Sequence, residues 1–211
     1  MRIAIIGATG RAGSLMAKEA LSRGHHVTAV VRDRSHITNT AIHAIEKDLF
    51  DLTTDDLKAF DVVIDAFGAW KPETIPLHQT SLKHLADILA GTKVRLLVVG
   101  GAGSLYGDNG HTKRVMDSPD FPKEALPLVS SMAKAFDALR IRNDVNWTYF
   151  SPALNFIADG PRTGFYQLGD DQPVMDGKGI SEISYADYAI AMIDEAERGA
   201  HVRKRFTAAW K

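Results

Sequence analysis

Arg2-Ile3-Ala4-Ile5-Ile6-Gly7-Ala8-Thr9-Gly10-Arg11-Ala12-Gly13 is the stretch from which the fold is read. Ile3 to Ile6 is a continuous apolar run rich in β-branched residues, as expected of a strand buried on both faces of a parallel sheet. Gly7, Gly10 and Gly13 follow at three-residue intervals. Ser14 to Ser22 then places Leu15, Met16, Glu19, Ala20 and Leu21 at helical spacing, and Gly24 closes the helix. Strand, glycine loop and helix, in that order, make a dinucleotide cradle. The first glycine turns tightly off the strand, the second lets backbone approach a pyrophosphate, and the third lets helix pack on strand. Free N–H groups and the dipole at the helix N-terminus then hold the anion. Thr9, Arg11 and Ala12 belong to the same loop and are expected to contact the cofactor with the three glycines. No Gly-Lys-Ser/Thr follows, so the loop is not a Walker A motif.

Working outward, His25 to Val31 reads as a second strand ending at Arg32-Asp33-Arg34. The end of the second strand meets the adenosine ribose in dinucleotide folds, where an arginine suits the 2′-phosphate of NADP and an acid the 2′-hydroxyl of NAD. Arg32 and Arg34 favour NADP(H) over NAD(H); Asp33 leaves the opposite reading open. Ala41 to Glu46 is a short third strand, followed by Asp48-Leu49. Asp61 to Asp65 is a fourth strand leading into Ala66-Phe67-Gly68, a loop expected to line the cofactor at the switch point of the sheet. Leu77 to Leu89 reads as a helix with Leu82, Leu85, Ala86 and Leu89 on one face. Lys93 to Val99 is a fifth strand, and Gly100-Gly101-Ala102-Gly103 after it implies backbone close to a ligand, or strained turns. Ser104 and Tyr106 are the hydroxyls nearest this edge.

Asp108 to Pro122 is polar and proline-punctuated, either a flap over the site or a surface loop. Pro122 to Arg142 is helical in character, with an interruption near Pro127. Trp147 to Phe150 is the sixth strand, and Pro152 leaves its carboxyl end. Phe165 to Leu168 reads as a short strand, Tyr185 to Arg198 as a helix, and Arg205 to Ala208 as a last strand. The expected fold is α/β: a single Rossmann-like domain over 1–211, with a doubly wound parallel sheet in the order 3-2-1-4-5-6-7. Residues 151–211 would supply the substrate-side cover.

Composition narrows the function classes. Hydrophobic residues make up 45% of the chain and charged residues 24%, with a net charge of -1, which offers no basic field for nucleic acid or an anionic membrane. The absence of cysteine excludes disulfides, thiolate nucleophiles and thiolate metal sites. The eight histidines lack ligand spacing, so no metal site is expected. No apolar run reaches the ~20 residues of a membrane span, and the N-terminus does not read as a signal peptide. A cytoplasmic monomer or homodimer acting on a small molecule is expected.

The Gly7-Ala8-Thr9-Gly10 spacing resembles the extended and atypical short-chain dehydrogenases/reductases. With Ser151-Pro152-Ala153, Pro161-Arg162-Thr163-Gly164, Ile183-Ser184-Tyr185-Ala186-Asp187-Tyr188-Ala189 and Arg205-Phe206-Thr207, the whole chain resembles the small bacterial NAD(P)H–flavin reductases. These are atypical members related in fold to biliverdin-IXβ/flavin reductase. The resemblance implies that Asp48 contacts the adenine amino group, that Leu49 packs on the ring, and that Ser104 sits beside the nicotinamide. Catalysis is expected at Ser104 and Tyr106, the hydroxyls at this edge, with Phe67, Tyr106 and Phe156 as candidate stacking surfaces. It also implies hydride transfer from NAD(P)H to a flavin or similar planar acceptor, the second reading being a non-catalytic redox sensor. One departure matters. The Tyr-x-x-x-Lys pair of the main branches is replaced by Ser130-Ser131-Met132-Ala133-Lys134, which leaves Lys134 a solvated helix residue.

Overall fold

The computed structural model describes all residues from 1 to 211. Strand β1 (Arg2–Ile6) pairs in parallel with β2 (His26–Val31) on one side and β4 (Val62–Asp65) on the other. Alternation along β1 sends Ile3 and Ile5 to one core and Ala4 and Ile6 to the other, which is why the run has no polar member. β3 (His43–Glu46), β5 (Arg95–Val99) and β6 (Asn146–Ser151) complete the order β3-β2-β1-β4-β5-β6. The first core packs under α1 (Arg11–Ser22) and α5 (Tyr185–Arg198). The second packs under α3 (Leu77–Leu89) and α4 (Leu126–Arg140), while α2 (Thr54–Leu57) is a single turn. This is the doubly wound, Rossmann-like sheet expected.

Beyond β6 the arrangement is richer than the expected order. β10 (Lys204–Ala209) lies parallel beside β6, and β8 (Gln167–Gly169) closes the edge antiparallel to β10. The seventh place is therefore taken by the last strand, while the 165–168 stretch contributes an outer, shifted strand. β7 (Asn155–Ile157) and β9 (Glu182–Ser184) pair in a separate two-stranded ribbon. The helix expected from Pro122 begins at Leu126 instead, after a short 3-10 turn over Lys123–Ala125. Pro127 sits in the first turn of that helix and does not interrupt it, because the missing N–H is unneeded there.

Asp187, fully buried in the first turn of α5, ties down the C-terminal third. Its carboxylate accepts from the Thr163 and Gly164 amides, both at 2.9 Å, and from Trp210 Nε1 at 2.7 Å. The Pro161–Gly164 loop and the chain end are thus anchored to one helix.

Candidate functional site

The glycine loop is built as its spacing requires. Gly7 has φ +73°, and a Cβ on it would stand 2.5 Å from the Ala66 carbonyl oxygen. A Cβ on Gly13 would run into the Gly7 carbonyl, so Gly13 is what lets α1 close on the loop. Gly10 differs: within 4 Å a Cβ there would meet only the Gly7 carbonyl oxygen, at 3.2 Å. Gly10 also precedes α1 with no side chain to cap it, and the first turn of α1 carries no acid. Its amides are therefore free to receive an anion.

These elements open onto a cavity of about 1630 Å³ along the carboxyl ends of the strands. Of the expected cofactor residues, Gly7, Thr9, Gly10, Arg11, Ala12, Arg32, Asp48 and Leu49 line it on the β1–β3 side. Ala66, Phe67, Gly68, Gly100, Gly101 and Pro152 line it on the β4–β6 side. Gly13 and Arg34 do not reach the wall. Gly13 is buried within the first turn of α1, and Arg34 is exposed in a 3-10 turn. Asp33 is turned away from the cavity to cap that 3-10 turn, its carboxylate accepting from the Ser35 amide at 2.8 Å. The Asp48 carboxylate likewise accepts from Phe50 N at 3.0 Å while still bordering the cavity.

The two hydroxyls expected at the reaction centre are placed elsewhere. Ser104 is 4% exposed, and Arg205 Nη1 donates to its carbonyl at 2.8 Å and its Oγ at 3.2 Å. Tyr106 stacks on His111 with ring centroids 4.7 Å apart. Neither lines the cavity. The cause is Arg205: buried, paired with Asp171 and lying over the Tyr106 and Phe136 rings, it draws this segment behind the wall. The glycines before Ser104 line the cavity, as expected of backbone close to a ligand. They also make room behind it: Cβ atoms on Gly100 and Gly103 would collide with the core residue Tyr149 and with Val129 of α4.

The floor is held from beneath by buried polar groups. Asp65 accepts from Phe67 N at 3.0 Å, and His78 Nε2 lies 3.1 Å from the Ala69 carbonyl oxygen. Gly101 N donates to the Tyr149 hydroxyl at 3.3 Å. A second cavity of about 20 Å³ lies between Asp65, His78, Ser81 and Tyr149, enough for one water. Burial pushes the Asp65 carboxyl up to about 6 and the Tyr149 hydroxyl up to about 12, and it lowers His78.

The far half of the main cavity holds residues that the sequence reading passed over. Trp70, Lys71, Phe121, Leu128, Val129 and Tyr185 line it. Phe156, expected as a stacking surface, lines it too and packs on Tyr185 with centroids 3.8 Å apart. Trp70 and Phe121 were findable as aromatics inside polar, proline-marked loops. Lys134 is exposed, as expected.

Residues 7–196 match the sequence profile of a family described as NAD(P)H-binding. The chain belongs to this NAD(P)H-binding family. It is 49% identical to "Uncharacterized protein YwnB" of Bacillus subtilis, across 98% of this chain and 97% of that one. It is 50% identical to a crystal structure from Streptococcus pneumoniae described as "a putative NADH-flavin reductase", with TM-score 0.96 and both chains covered in full. It is 38% identical to a "putative epimerase" structure from Bacteroides thetaiotaomicron, with TM-score 0.86 over 99% of this chain and 96% of that one. Membership gives the chain a nicotinamide cofactor, and the glycine loop fits one: Gly10 leaves free the space a pyrophosphate would fill. No helix is long and apolar enough to cross a membrane.

Proposed function

We propose that this protein is an NADP(H)-dependent oxidoreductase that passes a hydride to a flavin or a similar planar acceptor. The observation that carries the reading is the cavity. At about 1630 Å³ it exceeds the ~300–1,000 Å³ of ordinary ligand pockets, giving room for an acceptor beside a dinucleotide. A protein that only sensed the cofactor would not need that second half.

The bound nicotinamide supplies a hydride, and the acceptor, gaining that electron pair and one proton from solvent, leaves in its two-electron-reduced form. The chain's own task is to bind and align. The free amides of α1 hold the pyrophosphate, and Leu49 packs at the adenine end. Arg32, which has no partner within the protein, pairs with the 2′-phosphate. Phe67, Phe156 and Tyr185 offer flat walls for stacking. Reducing a ketone calls for a positioned acid, and the Tyr-x-x-x-Lys pair is missing while Ser104 and Tyr106 lie outside the cavity. A flavin spreads the incoming charge over its ring, so alignment suffices.

NADPH oxidation against a panel of flavins, quinones and tetrapyrroles tests the reading. Consumption with a planar acceptor is expected; binding of NADPH with no consumption across the panel would favour the sensor. Arg32→Ala should weaken NADPH by about 1.5–3 kcal/mol, the worth of a charge-assisted contact, and NADH much less. Equal losses for both would show that Arg32 does not read the phosphate.

A further inference from the structure

Resting on the oxidoreductase reading, we propose that the acceptor half of the cavity takes an uncharged, planar conjugated ring and selects against one that carries a phosphate. Charge on the cavity wall is segregated. Arg11, Arg32 and Lys47 stand at the ends of β1 to β3, the nucleotide side. Beyond β4 the wall carries one cation, Lys71, and one acid, Asp120. A phosphate group entering that half finds no guanidinium to fork onto. Moving a doubly charged group out of water against a single lysine, with an acid on the same wall, is unfavourable.

α4 faces the cavity with the apolar side chains of Leu128, Val129 and Met132. Its start is tied into the preceding turn, where the Ala125 amide donates to the Pro122 carbonyl at 3.1 Å. What the wall does supply is flat apolar surface. Trp70, 72% exposed, borders the cavity with no aromatic partner. Phe156 and Tyr185, from the C-terminal third, form a stacked pair on the same cavity wall. An exposed tryptophan and a stacked pair on one wall suit a ring held by its faces.

Riboflavin and flavin mononucleotide share one ring and one side chain and differ by a single phosphate, so they isolate the point. Equilibrium dialysis of the full chain with saturating NADP⁺, in which no turnover occurs, gives affinities for both and for menadione. Riboflavin should bind at least about tenfold tighter than flavin mononucleotide, a difference of about 1.4 kcal/mol. Menadione binding tighter than riboflavin would assign the same chemistry to a quinone. Equal or tighter binding of flavin mononucleotide would overturn the proposal, as would failure of all three to bind. Leu154→Arg, which places a cation at an exposed cavity position, should shift the preference at least about fivefold toward flavin mononucleotide. No shift would show that the phosphate does not enter this half. Riboflavin binding without any NADPH oxidation would remove the oxidoreductase reading and leave the ligand class standing.

Discussion

Single residues divide here into those the protein needs and those a ligand needs. Gly7 and Gly13 are required by the chain, since a Cβ on either would overlap backbone at 2.5 Å or less, against 3.2 Å for Gly10. Gly10 is not, so Gly10→Val should keep a folded protein and lose the dinucleotide. Circular dichroism and NADPH titration by fluorescence check both halves, and unchanged affinity in a folded variant would refute it. Asp65 shows the reverse, a residue that costs stability. Burial raises its carboxyl from 3.8 to about 6, so between those values the native state binds the extra proton. Stability therefore falls as pH rises from about 4 to about 6 and stays lowered above. At about 1.4 kcal/mol per pH unit, ionised Asp65 costs roughly 3 kcal/mol at neutral pH. Asp65→Asn, which can still accept from Phe67 N, should raise stability in urea by up to that amount at pH 7.5. At pH 4 the two proteins should converge; the same gap at both pH values would show that the charge is not the cause.

At the scale of elements, α5 is the piece on which the part of the cavity beyond β4 depends. Its first turn supplies Tyr185 to the cavity and Asp187 to the Pro161–Gly164 loop. Asp187→Ala would leave the Thr163, Gly164 and Trp210 N–H groups without their acceptor. Thr163 and Gly164 are exposed and Trp210 half-buried, so water can reach the freed donors, and at about 0.5–1.5 kcal/mol net per hydrogen bond a loss of about 2–4 kcal/mol is expected. Urea denaturation measures it, and a loss below about 1 kcal/mol would show that the loop is held by something else. The ionic cluster on the outer side of α1 and α5 is a lesser matter. Arg23 joins Glu19, Asp194 and Glu197, and Arg162 reaches Glu19, but partly exposed pairs of this kind contribute little each.

For the molecule as a whole, the cavity runs along one edge of the sheet between two cores, so filling it should stabilise both. NADP⁺ at a hundredfold excess over its dissociation constant adds about 2.7 kcal/mol. For a domain of this size that raises Tm by about 5–10 °C. Thermal melts with NADP⁺ and NAD⁺ should show the larger rise with NADP⁺. A flat response to both would mean that the cavity holds no dinucleotide.

The sequence by itself determined the sheet from β1 to β6, the helices between, and the pyrophosphate loop. Those features are written in local pattern: apolar runs of strand length, helical spacing, and glycines at three-residue intervals between strand and helix. Most of the cavity wall followed, because in a doubly wound sheet the residues just past each strand must share one edge. Only the tertiary structure decided the rest. Ser104 and Tyr106 sit at that edge in sequence, yet Arg205, a hundred residues on, draws them behind the wall. Three-residue strands such as β7 and β9 exist only through each other, with Phe156 opposite Ile183. Trp70 and Phe121 come from separate loops onto one cavity. Contacts between distant segments leave no periodicity along the chain, so packing alone chose which side chains an acceptor would meet.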